Sequence, residues 1–106
     1  MQPIIITTTS DQTDVLKSIA KQLVRKKLAA CVQVDAPVMS VYRWKGAVES
    51  SKEARLTIKT AKHLVARVEE VIRDNHNYDV PQIVGILVDE ISSCLLYTSP
   101  SPRDRG

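Results

Sequence analysis

Phenylalanine is absent from this 106-residue chain, and the remaining aromatics are three tyrosines and one tryptophan. Any core must therefore be aliphatic, and an aromatic beside a polar motif stands out. Glycine is also scarce: the three residues, Gly46, Gly85 and Gly106, are too far apart to build a glycine-rich phosphate loop. The two cysteines, Cys31 and Cys94, provide no disulfide framework and fit a reducing compartment. No apolar run is long enough to span a bilayer. The first strand-like segment begins within a few residues of Met1, which leaves no room for a signal peptide, so the expected location is cytoplasmic. Neither sign of charge dominates, with 15 Lys and Arg against 12 Asp and Glu interspersed along the chain. Field-driven binding to nucleic acid or a membrane is accordingly not expected. What is present, 43% hydrophobic and 25% charged residues, is the mixture of one folded domain.

Residues 3–9, Pro-Ile-Ile-Ile-Thr-Thr-Thr, form a β-branched run without alternation in its apolar half, which predicts a central strand covered on both faces. Ser10 or Asp11 is placed to cap a helix with the apolar stripe Val15, Leu16, Ile19, Ala20, Leu23 and Val24, closed by Arg25, Lys26 and Lys27. From Leu28 the period becomes two, predicting a long strand to Trp44 that bends at Pro37. Lys45-Gly46 supplies a turn, and alternation resumes from Glu53, which makes an extended hairpin. Thr60 is then expected to cap a second helix striped by Leu64, Val65, Val68, Val71 and Ile72. That helix closes in the polar cluster of residues 74–77, and residues 83–88 predict a buried fourth strand.

The order is βαββαβ, an α+β, ferredoxin-like fold with both helices on one face of four antiparallel strands. The other face is too apolar to be left in water, so a partner surface is implied, self-association being the simplest. Residues 1–91 make the domain. Residues 92–106 are expected to be unstructured, because Pro100 and Pro102 oppose helix or central strand and serine dominates. From about Cys94 onward the tail resembles translated sequencing-adapter text.

Three stretches together resemble the CutA divalent-ion tolerance family: Lys-Leu-Ala-Ala-Cys-Val at 27–32, Ser-Val-Tyr-Arg-Trp-Lys-Gly at 40–46 and His-Asn-Tyr-Asp-Val-Pro-Gln-Ile at 76–83. The resemblance covers about residues 4–91. It implies a homotrimer assembled through the long hairpin, a link to copper and other divalent ions, and no required cofactor. It also implies a last helix after the fourth strand, for which the tail has no counterpart. The family more often has Pro and Glu where Asn77 and Asp79 stand, a change expected to loosen that loop. The family's copper pattern falls on Thr7, Asn75 and His76, of which only His76 is a good ligand for copper. The expectation is a weak Cu(II) contact through His76, shared between subunits, set against a plain helix-end histidine.

Cys31 sits among Ala and Val and is expected to be a small buried hydrophobe. His63, near the start of the second helix, is expected to be exposed. Tyr42 and Trp44 share a strand face beside the turn and are expected at an intersubunit contact. Glu53, Lys59 and Tyr78 are expected to line a cleft between subunits. A trimer of the PII type, binding a small anionic ligand at that cleft, is the related alternative. An RRM-type RNA-binding module shares the βαββαβ order but lacks aromatics on its first and third strands. An acylphosphatase needs an Arg-bearing cradle after the first strand, and residues 7–11 contain no Arg. No serine, histidine and acid constellation suggests an enzyme of another kind.

Overall fold

A computed structural model describes residues 1–89; the tail from 92 to 106, and the expected want of a last helix, lie outside the described residues. The chain runs β1 (Pro3–Ser10), α1 (Thr13–Arg25), β2 (Cys31–Trp44), β3 (Ala47–Ala61), a 3-10 turn (Lys62–Leu64), α2 (Val65–Asn75) and β4 (Val84–Leu87). The sheet order is β2-β3-β1-β4 with all neighbours antiparallel, the ferredoxin-like arrangement expected.

β1 is central, but its burial alternates. Ile4, Ile6, Thr8 and Ser10 are buried, whereas Ile5, Thr7 and Thr9 are only half-buried. The expectation of cover on both faces is corrected: among the described residues the helices cover one face, and the other stays open. The core lies between, where Ile6, Leu56 and Ile58 of the sheet meet Leu16, Ile19 and Leu23 of α1 and Val68 and Ile72 of α2. Burying each of these aliphatic side chains is worth about 1.5–3 kcal/mol.

Helix boundaries differ from the sequence expectation where strands run longer. The N-cap of α1 is Gln12, with no side-chain cap, because Ser10 stays in β1. Thr60 does not cap α2: β3 continues to Ala61, and Thr60 Oγ1 donates to the Leu28 carbonyl at 2.6 Å, tying β3 to the end of α1. Leu28 does not begin β2 because it closes α1. Its N–H reaches Leu23 O at 2.8 Å while Lys27 N–H reaches Val24 O at 3.0 Å, the paired bonds of a Schellman ending. Leu28 and Leu23 are both buried, completing that motif's apolar contact.

The hairpin turn is made by Lys45 (φ 51°) and Gly46 (φ 80°), whose two positive φ values suit a two-residue turn between twisted strands. Asp35 pairs with Arg55 and Val38 with Glu53, so Ala36 and Pro37 together oppose Ala54, a β-bulge that realises the expected bend. β2 is an edge strand, where a proline without an N–H is tolerated. β4 is shorter than expected and accessible throughout rather than buried, because among the described residues it is the other edge and pairs only with β1.

The Schellman ending requires a left-handed residue, and Lys27 occupies that place with φ 59° where glycine is the usual choice. Replacement Lys27→Gly is expected to raise stability by about 1 kcal/mol, seen as a higher urea midpoint; an unchanged or lowered midpoint would contradict the strain argument.

Candidate functional site

Two surfaces stand out at opposite ends of the sheet, and sequence-selected residues fall at both. The β1–β3 ladder ends at Ser10 opposite Ala54, so Glu53 is the next β3 residue and lacks a β1 partner. The loop after α2 fills that place. Tyr78 Oη donates to Glu53 Oε2 at 2.8 Å and accepts the Asp11 backbone N–H at 2.9 Å. The other oxygen, Glu53 Oε1, accepts from Ser40 Oγ at 2.6 Å. Ser40 can reach it because the bulge turns Val38, Ser40, Tyr42 and Trp44 toward the open side of the sheet. One carboxylate therefore joins the hairpin to the loop.

His76 and Asn77 tie the same loop to β1. His76 Nδ1 accepts the Tyr78 N–H at 3.0 Å, which leaves the proton on Nε2 to be donated to the Thr9 carbonyl at 2.8 Å. The His76 and Tyr78 rings lie 4.9 Å apart at 46°. Asn77 accepts from Ser10 Oγ and donates to Asp11 Oδ1 at 2.8 Å. Asn77 thus makes two side-chain bonds that a proline at that place could not make. Asn75 binds the Val71 carbonyl at 2.8 Å, and Thr7 stays in the middle of β1 opposite Thr57. No group of three or more His, Cys, Asp or Glu converges among the described residues.

Burial first, then the hydrogen bond to Glu53 and the negative charges of Glu53 and Asp11, push the Tyr78 hydroxyl up to about 12; the Asp11 N–H opposes them. The phenol therefore keeps its proton at neutral pH.

Lys59 is not in this cluster. It lies six residues along β3 from Glu53, about 20 Å away at strand rise, opposite Cys31 and Ile5. Cys31 is half-buried on the open face, not in the core as expected, because Val32 and Val34 take the helix-facing positions of β2. His63 is exposed on the 3-10 turn. Tyr42 and Trp44 share the open side of the hairpin, and both are exposed, with Lys45 Nζ 5.8 Å from the Trp44 ring centre. Sequence reasoning missed Ser10, Asp11 and Ser40. Only the register set by the bulge would have paired Ser40 with Glu53.

Removing the Tyr78 hydroxyl strands both the Asp11 N–H and Glu53 Oε2. Tyr78→Phe is expected to lower stability by about 1–2 kcal/mol at neutral pH. The phenol's raised value, about 12 against 10.0, favours the protonated form in the fold. Its contribution is complete below pH 10 and lost as pH rises through 12, so the gap between parent and variant should close over that window. Denaturant midpoints from pH 7 to 12 test this; a gap that persists at pH 12 contradicts it.

A family model described as CutA1 divalent ion tolerance protein matches residues 4–97. The divalent-cation tolerance protein CutA of Thermus thermophilus is 36% identical over 90 residues, covering 85% of this chain and 86% of the relative. The chloroplastic CutA of Arabidopsis thaliana is 37% identical over 83 residues, but the match spans only 46% of that protein's length. Among solved structures, the Thermus thermophilus divalent cation tolerance protein superposes with a TM-score of 0.84 at 34% identity, covering 90% of this chain and 92% of that one. CutA1 from Shewanella sp. SIB1 gives 0.85 at 30% identity, with coverage of 92% and 91%. The sheet order, the long bulged hairpin and the matches over nearly all of the described residues agree: the chain belongs to the CutA1 divalent ion tolerance family.

Proposed function

We propose that this chain serves divalent-ion tolerance by binding and assembly rather than by catalysis, as a homotrimer joined through its hairpin. The observation that carries the reading is the apolar surface lifted clear of the domain: Val41 is 65% exposed, Trp44 61% and Val48 70%. Large apolar side chains concentrated on one projecting element favour a partner surface, and further copies of the same chain supply one. The number three rests on the family resemblance. Absence of catalysis is supported by the polar cluster itself, since the Tyr78 phenol holds its proton and both nitrogens of His76 are engaged. A cytoplasmic site of action belongs to the same proposal, although the names of relatives include chloroplastic and periplasmic proteins. No described helix is long and apolar enough to cross a membrane.

The proposed ligand is Cu(II) or another divalent cation, held weakly through His76. Ligation through Nδ1 must displace the Tyr78 N–H, and ligation through Nε2 must break the bond to Thr9. Either exchange subtracts from affinity, and the remaining ligands would have to come from other copies. A small anionic ligand of the PII kind would occupy the same subunit boundary.

Light scattering should give a native mass three times 11.8 kDa, and Trp44→Ala should shift the assembly toward single chains at micromolar concentration. A parent mass of one chain overturns the trimer; an unaltered Trp44→Ala assembly removes that side chain from the contact. In a calorimetric titration with Cu(II), His76→Ala should bind more weakly and also lose about 1–2 kcal/mol of stability from its two missing hydrogen bonds. Unchanged copper affinity would remove His76 as a ligand.

A further inference from the structure

The opposite end of the sheet carries a groove of about 590 Å³, within the roughly 300–1,000 Å³ of small-molecule sites. It forms where the end of α1, the first residues of β1, the last residues of β3 and the 3-10 turn meet. Its described lining is mostly aliphatic, with Ile4, Ile5, Val24 and Leu64 among its walls. Charge is distributed differently here from the rest of the chain. Acids and bases are nearly balanced overall, 12 against 15, yet the described lining includes two lysines and a histidine and no acidic residue. Lys27 is the residue held at φ 59° in the Schellman ending. A glycine would relieve that conformation, and a long cationic side chain stands there instead.

We propose that this groove binds a free amphiphilic carboxylate, with its hydrocarbon portion against the aliphatic walls and its head group toward Lys27 and His63; Lys59 lines the groove but is registered on the open face of β3. The groove is concave enough to take an alkyl chain out of water. The flexible Lys27 stem can cover the chain while its ammonium group reaches the carboxylate. A cationic amphiphile of the same length gains the burial but meets like charge. The inference is independent of the trimer and of copper, since it uses neither the hairpin tip nor His76.

The test is calorimetric titration of the full chain with decanoate and with decyltrimethylammonium, both below their micelle concentrations. Decanoate should saturate at one per chain and bind at least about tenfold more tightly than the ammonium analogue. Lys27→Gly, expected to be the more stable protein, should weaken decanoate about three- to fivefold, and Ala30→Trp, which fills the groove, should abolish binding. Absence of saturable binding, equal affinity for the two head groups, or an unchanged Lys27→Gly affinity would overturn the proposal. So would a change of native mass in Ala30→Trp, which would assign the groove to contact between copies.

Discussion

One extra residue in β2 governs most of what this molecule presents to its surroundings. Before the bulge, Val32 and Val34 face the helices and close the core. After it, the parity reverses, and Ser40, Tyr42 and Trp44 turn to the open side together with Glu53. Without that residue the same strand would carry Ser40 away from the carboxylate and the two aromatics to the helix side. Its position between Asp35 and Val38 is where the hairpin leaves the body of the domain. There the Arg55–Asp35 ion pair at 3.0 Å joins the two strands. That pair is exposed on both sides, so it contributes alignment more than stability.

β3 links two ends of opposite chemistry. At one, polar groups are matched almost one to one: Glu53 accepts two hydroxyl protons, Tyr78 both donates and accepts, and His76 uses both ring nitrogens. A network so complete fixes the angle between loop and hairpin and leaves little capacity for proton transfer. At the other end, Lys27 and His63 border a mostly aliphatic groove, and the hydroxyl of Thr60, which also lines it, is already bonded to the Leu28 carbonyl. The first end is suited to holding geometry, the second to accepting a ligand. This division follows from where β1 stops. Ending at Ser10, it leaves Glu53 open to Tyr78, and beginning at Pro3, it sets Ile4 and Ile5 at the groove.

Periodicity made the helices and the sheet order legible, because Leu16, Ile19, Leu23, Val68 and Ile72 recur on single stripes and each is fully buried. The turn at Lys45-Gly46 was legible for a similar local reason, the positive φ values that a short hairpin demands. What failed was local capping. Ser10 and Thr60 carry the right hydroxyls for caps, but ladder pairing with Ala54 and Ile4 kept both in strands. The burial of β4 also failed, since an apolar run has the same pattern whether its outer face meets another layer or remains accessible. Of the site, Tyr78 and Glu53 were singled out, with Lys59, as lining a cleft between subunits rather than as bonded to each other within one chain. Ser40 and Asp11 were not, because their meeting depends on register across 13 and 67 residues.

The open sheet face and the hairpin bear on function together. On β4, Ile86 is 61% exposed and lies beside Ile5 on the uncovered face. On the hairpin, Met39, Val41 and Val48 are exposed on one side and Tyr42 and Trp44 on the other, so each side carries large apolar side chains among polar ones. A flexible hairpin would lose much of any association energy to ordering. Here the cost falls before association, because Ser40–Glu53–Tyr78 anchors the hairpin's base to a loop already tied to β1. The same bonds that occupy His76 and Tyr78 present the hairpin in a set direction, which is what the proposed assembly requires.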